Sequence, residues 1–210
     1  MKKLWIILLL TLVGLPVAAQ SIVYPSLKDF LAQDGDTIAG LRIEKRTKNQ
    51  IVMTGGADYK LSVDNSNSVC KYLKSRCYLV KSDSALYINC KRLRYKKLRF
   101  GAWYAPALLV AGNIYFSAMP LGTVAAGPSA SMDVMLGGSI GDAIAASGQV
   151  SKRVYYEIDS ATGKVSFVGK DKMLLLLNDY PEWKSSYLDK NSESAEVTGE
   201  YLNLLQTLDK

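Results

Sequence analysis

Three cysteines, Cys70, Cys77 and Cys90, are the side chains of this sequence whose chemistry depends most on the compartment. Residues 78–82 and 85–89 alternate between apolar and polar side chains, which predicts a hairpin with Cys77 opposite Cys90. Directly opposed Cβ atoms can be close enough for a disulfide, so we expect a Cys77–Cys90 bridge if the thiols oxidise. A Cys70–Cys77 bridge and three buried thiols are the alternatives. Three thiols without a fourth ligand are a poor zinc site.

The sequence contains no histidine. A Ser-His-Asp triad, a Cys-His pair, a histidine general base and a histidine-ligated metal are therefore excluded. Asp34 and Asp36 lack the further ligands of a calcium loop and predict a turn. Asp179 and Glu182 flank Pro181 and are typical of charges at the start of a helix. We predict no catalytic, cofactor-binding or metal-ligating residue, and we expect a protein that is not an enzyme.

The first twenty residues have the organisation of a signal peptide. Met1–Lys3 is basic, Leu4–Val17 is apolar and Val17–Ala19 is a small-residue cleavage site, so the mature chain would begin near Gln20. An uncleaved anchor is the alternative, but the apolar run is shorter than the ~20 residues of a span and contains a glycine and a proline. We therefore expect an exported protein, in the periplasm or associated with the outer membrane of a Gram-negative bacterium, where thiols can oxidise.

A basic block occupies residues 91–99. Its bases are Lys91, Arg92, Arg94, Lys96, Lys97 and Arg99. Leu93, Tyr95 and Leu98 alternate with these charges, which favours a strand with one apolar face and one charged face. Interleaved bases and aromatics can also contact an anionic polymer. The block is thus a candidate contact for an anionic envelope surface, and nucleic acid is not expected as a partner of an exported protein.

Residues 101–132 contain no charged side chain. Within them, 103–110 and 114–119 are β-rich and flank an Ala-Gly-Asn turn, which predicts a hairpin buried on both faces. The alternative is a membrane-associated protein seated through 103–119, because the stretch is long enough for a span and follows a basic block. Two prolines and the Gly-Asn pair argue against one continuous helix.

A glycine-rich helix is predicted over 131–147. Gly137, Gly141 and Ala145 recur at four-residue spacing and give this helix a smooth face on which another backbone can pack closely. We expect that face to pack on the protein's own sheet. Membrane association through 137–146 is the alternative, although two aspartates make the helix too short and too charged to span.

The remaining segments alternate between strand and helix signals. Strand patterns lie at 41–45, 51–54, 59–63, 154–158 and 164–168. Residues 64–68 are polar and predict a loop. Ser26 can cap a short helix that ends before Asp34, and helical spacing returns from Asp171 to the C-terminus, with Pro181 at a first turn. The apolar stripe of the last helix favours core packing, and a partner contact is the alternative.

These segments predict an α+β protein: an antiparallel β-sheet with a short N-terminal helix, a glycine-rich helix after the central hairpin, and C-terminal helices. After the signal peptide at 1–20, we expect a mainly antiparallel β domain over 21–170. The helical segment 171–210 would pack on the same domain. A mature chain of about 190 residues fits this single domain.

Several stretches together resemble an uncharacterised family of exported Bacteroidetes proteins, a domain of unknown function. They are 46–60, 85–90, 137–141, 159–165 and 176–182. The resemblance covers nearly all of the mature chain and implies a Gram-negative envelope setting, but no activity, ligand or catalytic residue. We therefore expect a non-catalytic envelope protein without a cofactor, which binds another envelope protein or an anionic envelope surface.

Overall fold

The computed structural model describes residues 20–47, 49–51, 56–83, 85–96, 98–118, 154–190 and 194–208. They form an antiparallel β-sheet with helices, which confirms the predicted α+β class. The strands are β1 (Gln20–Tyr24), β2 (Asp36–Ala39), β3 (Leu41–Lys45), β4 (Tyr59–Val63), β5 (Leu79–Ser82), β6 (Ala85–Asn89), β7 (Arg94–Tyr95), β8 (Leu98–Arg99), β9 (Tyr104–Val110), β10 (Asn113–Ala118), β11 (Val154–Ile158) and β12 (Val165–Phe167). The helices are α1 (Leu27–Leu31), α2 (Asn67–Ser75), α3 (Lys170–Leu176), α4 (Pro181–Asp189) and α5 (Ala195–Leu208), with a 3-10 turn at Cys90–Arg92.

The main sheet has the strand order β12-β11-β10-β9-β6-β5-β1-β2. A second path leaves β9 at Tyr104, which pairs with Tyr59 of β4, and β4 pairs along its length with β3. Only Gly40 separates β3 from β2, and β2 pairs with β1. The pairings lead from β2 through β1, β5, β6, β9 and β4 to β3, and the chain connection at Gly40, which is not a pairing, completes what we call the strand circuit.

The central hairpin is the one predicted from the charge-free stretch. Val110 pairs with Asn113, and the two residues between them, Ala111 and Gly112, have φ of 47° and 75°. A two-residue turn with both φ positive matches the right-handed twist of the strands it joins. Residues 104–118 are thus strands in the middle of the sheet, and the interpretation of this part as a transmembrane helix is wrong.

The other two predicted hairpins are also present. Ser82 pairs with Ala85 and Leu79 with Ile88, the register expected for β5 and β6. In the β11–β12 hairpin the Asp159 carboxylate accepts a hydrogen bond from the Thr162 amide at 2.7 Å. Gly163 takes the left-handed conformation there, with φ of 67°.

Helix α1 also agrees with the sequence, because its cap is the predicted Ser26, whose hydroxyl accepts from the Asp29 amide. Helix α2 was not predicted. The loop expected at 64–68 overlaps the first two residues of this helix, which begins at Asn67. The helix is capped by Ser66, whose hydroxyl accepts a hydrogen bond from the Val69 amide at 3.5 Å. The strand expected at 51–54 is wrong at Ile51, which is helical, and 52–54 lie outside the described residues.

Three hydrophobic clusters cover the two faces of the sheet. The first lies on one face and holds an aromatic group in which Phe100 packs on Phe116 and Tyr156, with ring centroids 5.3 and 4.7 Å apart. The second lies between the opposite face of β9–β11 and helices α3, α4 and α5. The third receives side chains from every strand of the circuit and from α2. Strands β9–β11 are therefore covered on both faces, while β2 and β3 keep exposed side chains.

The C-terminal stripe packs mainly in the second cluster. Tyr201 and Leu205 are buried, Val197 and Leu204 pack against them, and Leu208 is 50% exposed. This arrangement supports the core interpretation of α5. The predicted glycine-rich helix 131–147 and its close-packing face lie outside the described residues. Among the described residues, no helix is both long enough and apolar enough to cross a membrane.

Candidate functional site

The basic block folds as a small hairpin, here called the basic hairpin, formed by the 3-10 turn, β7 and β8 (residues 90–100). Its apolar side chains Leu93, Tyr95 and Phe100 pack in the first cluster. Its described bases are all exposed, namely Lys91, Arg92, Arg94, Lys96 and Arg99. The described part of the block thus has an apolar and a charged side, but it is a turn and a hairpin where one strand was predicted. Lys97 lies outside the described residues.

The root of the basic hairpin is tied to the sheet by hydrogen bonds. The Cys90 amide donates to the Trp103 carbonyl at 2.9 Å. This hydrogen bond joins the residue where the hairpin begins to the segment that follows its end. The buried Asn89 side chain donates to the Leu73 carbonyl at 3.0 Å, and the Tyr104 hydroxyl donates to the same carbonyl at 2.7 Å. These bonds fix the C-terminal end of α2, the hairpin and the start of β9 relative to one another.

A cleft of about 430 Å³ opens beside this root. It is formed where β3 ends, where β4 begins and where the chain enters β9. The residues that line it are Glu44, Lys45, Arg46, Thr47, Gln50, Lys60 and Trp103. We call it the Trp103 cleft, because this indole is the one aromatic ring among its described lining residues. Sequence reasoning missed it, since its residues come from three separate segments.

Trp103 has an unusual backbone. Its φ is 80°, in the left-handed region that a bulky residue rarely adopts. The conformation is held on both sides, because the Trp103 carbonyl accepts from Cys90 and the preceding Ala102 carbonyl accepts from the Ala57 amide at 3.0 Å. Backbone strain of this kind persists only where its surroundings enforce it, and it concentrates at functional sites.

The indole lies among cations. The Arg46 guanidinium carbon is 5.6 Å from the ring centroid and the Lys74 ammonium is 5.7 Å from it. Arg46 is buried, and its guanidinium donates to the Ala57 carbonyl at 2.7 Å and the Gln50 carbonyl at 2.9 Å. These contacts fix the guanidinium next to the ring. The indole therefore has a defined orientation in the cleft.

The charge in the cleft is positive overall. Its lining holds three cations, Lys45, Arg46 and Lys60, and one carboxylate, Glu44. That carboxylate is already paired with Arg42 at 3.4 Å and with Lys60 at 3.8 Å. A ligand that enters therefore meets an excess of positive charge.

A second polar cluster surrounds Glu157, which is 3% exposed. One carboxylate oxygen accepts hydrogen bonds from the Tyr115 hydroxyl at 2.8 Å and from the side-chain amide of Asn113 at 3.0 Å. The other oxygen accepts from the Ser166 hydroxyl at 3.1 Å and contacts the Lys172 ammonium at 2.8 Å. Burial, and then the bond to Glu157, raise the pKa of Tyr115. Both oxygens are thus occupied by the protein, which indicates a structural role.

Sequence reasoning also missed Glu157. The available signal was a lone acid inside the otherwise apolar strand 154–158, directly after two tyrosines. An acid in such a position is paired when it is buried. Among the described residues, no group of three or more Cys, Asp or Glu side chains is arranged to hold a metal ion.

The cysteines are free thiols in the structure. The predicted register is correct, because the Asn89 amide donates to the Tyr78 carbonyl, which places Cys77 opposite Cys90. However, Cys77 belongs to the third cluster and Cys90 to the first, because the chain leaves the strand at Cys90 and enters the 3-10 turn. In this structure Cys77 and Cys90 are therefore not bridged, and Cys70 also has no bridge to Cys77.

Thiol accessibility gives a direct check of this arrangement. Cys77 and Cys90 are both 0% exposed, and burial raises the pKa of the Cys77 thiol. At pH 8 we expect neither to react with dithionitrobenzoate in the folded protein, because a buried protonated thiol is a poor nucleophile. After denaturation in guanidinium, without reductant, all three cysteines should titrate. A count of one thiol would contradict the free-thiol structure.

Comparison with known proteins places the chain in a family. No curated protein matches it, and no solved structure matches it. A family model does match, over residues 22–209, from within β1 to beyond the end of α5. That family is described as one of unknown function. The chain therefore belongs to the DUF6563 family, a family of unknown function.

Proposed function

We propose that this protein is an exported, non-catalytic envelope protein of a Gram-negative bacterium of the Bacteroidetes, and that its basic hairpin docks on an anionic envelope surface. Support for export comes from the signal-peptide pattern in residues 1–20 and from the start of the family match at residue 22. Strand β1, which begins at Gln20, lies next to the proposed cleavage site.

The basic hairpin carries the docking proposal. Its bases point outward while its apolar side chains are held in the core, so the charges are presented by a fixed scaffold. Among the described residues, no carboxylate forms an ion pair with Arg92, Arg94 or Arg99. The chain around the hairpin has the same sign, because residues 21–100 hold 16 bases and 7 acids.

Phosphate-bearing lipid headgroups are the surface that this arrangement fits best. Each Lys or Arg close to an anionic lipid surface contributes about 1 kcal/mol, and the attraction falls off within about 10 Å at moderate salt. Several bases grouped on one small hairpin can approach such a surface together. Bound in this way, the protein would be released by salt.

A vesicle experiment tests the docking. Residues 20–210 are sedimented with phosphatidylethanolamine vesicles that contain or lack phosphatidylglycerol. We expect binding only to the anionic vesicles, and we expect the Arg92→Glu/Arg94→Glu/Arg99→Glu variant to bind about 100-fold more weakly. High salt should release the unchanged protein.

The matched control reverses three exposed lysines elsewhere, Lys81, Lys164 and Lys170, and changes the net charge by the same amount. This control should keep most of the binding. Equal losses in the two triple variants would show that net charge, and not the hairpin, attracts the protein. Binding that resists both salt and hairpin reversal would overturn the proposal and favour membrane association through 137–146.

A further inference from the structure

We infer that the Trp103 cleft binds an acidic saccharide. This inference concerns a second site, because none of the lining residues belongs to the basic hairpin. It therefore does not depend on the docking of the hairpin on lipid headgroups. Its support comes from the shape of the cleft, its charge and the fixed position of its aromatic wall.

The lining combines one aromatic ring with side chains that form hydrogen bonds. Trp103, which is half-buried and has Arg46 and Lys74 over its ring, contributes the apolar part of the lining, and the other described lining residues are polar or charged. A sugar ring has the matching surfaces, since its C–H bonds form an apolar face and its hydroxyls project around the edge. An aliphatic ligand would leave the polar lining without partners, which is unfavourable.

The charge of the cleft selects an acidic sugar over a neutral one. Lys45 is exposed at the end of β3, and Lys60 lies on the adjacent strand β4, where it pairs in register with Glu44. Lys60 has only a 3.8 Å contact with Glu44, a carboxylate that Arg42 approaches more closely. An ammonium in this position can form a charge-assisted hydrogen bond with a carboxylate or sulfate group of the ligand.

The aromatic wall is fixed before the ligand arrives. Hydrogen bonds at Cys90 and Ala57 hold the strained backbone of Trp103, and Arg46 holds the ring. A side chain that is already ordered loses little conformational entropy when a ligand stacks on it. This preorganisation gives the strained φ of Trp103 a functional explanation.

The mature chain allows a clean fluorescence test. Only Trp103 and Trp183 remain after residue 20, and Trp183 lies in the C-terminal helices, stacked on Tyr180 at 5.0 Å. In a Trp183→Phe background, Trp103 is therefore the sole indole. Trigalacturonate and a sulfated heparin tetrasaccharide are titrated as probes, with the methyl ester of trigalacturonate as the uncharged counterpart.

We expect a saturable change in Trp103 fluorescence with at least one acidic probe. If trigalacturonate binds, its methyl ester should bind about tenfold more weakly. Lys45→Ala and Lys60→Ala should each weaken binding about tenfold. Lys81→Ala, on a distant strand end, should leave it unchanged. Circular dichroism of each variant confirms that it is folded.

The test separates the two sites. The triple reversal of Arg92, Arg94 and Arg99 should still bind the acidic probe at the cleft, even where it no longer binds vesicles. Loss of saccharide binding in that variant, or equal affinity for the methyl ester, would overturn the inference. No response to either acidic probe would also overturn it, and would leave the docking proposal untouched.

Discussion

Replacing Glu157 with leucine is expected to lower the free energy of unfolding by about 3 kcal/mol, in the range measured when one partner of a buried ion pair is removed. The carboxylate accepts three hydrogen bonds from side chains of β10 and β12 and forms an ion pair with a lysine of α3. Without it, the hydroxyl of Tyr115, which is fully buried, loses its acceptor. A buried hydroxyl without a partner is itself destabilising by about 1–3 kcal/mol.

Urea unfolding followed by circular dichroism measures this effect. Glu44→Leu is the matched control, because Glu44 also pairs with two cations but is 46% exposed. Exposed ion pairs contribute about 0–1 kcal/mol, so this variant should stay close to the unchanged protein. Glu157→Gln should fall between the two, since the amide oxygen can still accept from Tyr115. Similar stabilities for both leucine variants would contradict the structural role of Glu157.

Replacing Gly56 with alanine is expected to destabilise the protein by about 3 kcal/mol and to disturb the Trp103 cleft. Gly56 has φ of 85°, and a Cβ atom there would overlap the Ala102 carbonyl oxygen. That oxygen is backbone and cannot rotate away, so β9 must shift at its start. Overpacking of this kind costs about 1–3 kcal/mol, in addition to about 1 kcal/mol for alanine in a left-handed conformation.

Gly40→Ala provides the control for the left-handed conformation alone. Gly40 has φ of 69°, with no atom within 4 Å of the added Cβ. Its variant should lose only about 1 kcal/mol and keep the fluorescence of Trp103 in the Trp183→Phe background. In Gly56→Ala the emission of Trp103 should change, because Ala102 precedes it directly. Equal losses of stability at the two glycines would show that the close approach to Ala102 is not maintained in solution.

The hairpins could be predicted from sequence because their signals are local. Strand-like runs flank Gly112 and Gly163 closely in the sequence, and these two glycines suit their positive φ. Helix α2 was missed because it is short and polar, and its apolar residues, such as Leu73, are buried only through contact with the strand circuit. Tertiary packing, more than intrinsic propensity, stabilises a nine-residue helix of this kind.

The Trp103 cleft could not be predicted because nothing local connects its parts. Lys45, Lys60 and Trp103 come together only when β4 pairs with β9, through Tyr59 and Tyr104. The left-handed backbone of Trp103 has no sequence signal either, since glycine or asparagine normally marks that conformation. The cysteines show a similar limit. The predicted register of β5 and β6 is correct, but it does not determine the face on which Cys90 lies, because Cys90 begins the 3-10 turn.

The edge strands of the main sheet have a consequence for self-association. Within the described ranges, β2 pairs only with β1, β3 only with β4, and β12 only with β11, so each keeps one unpaired backbone edge. These strands have four, five and three residues, and Gly40 interrupts the first two. Short, interrupted edges with charges such as Arg42 and Glu44 are poor templates for another chain. Edges of this kind help the folded protein to resist edge-to-edge aggregation.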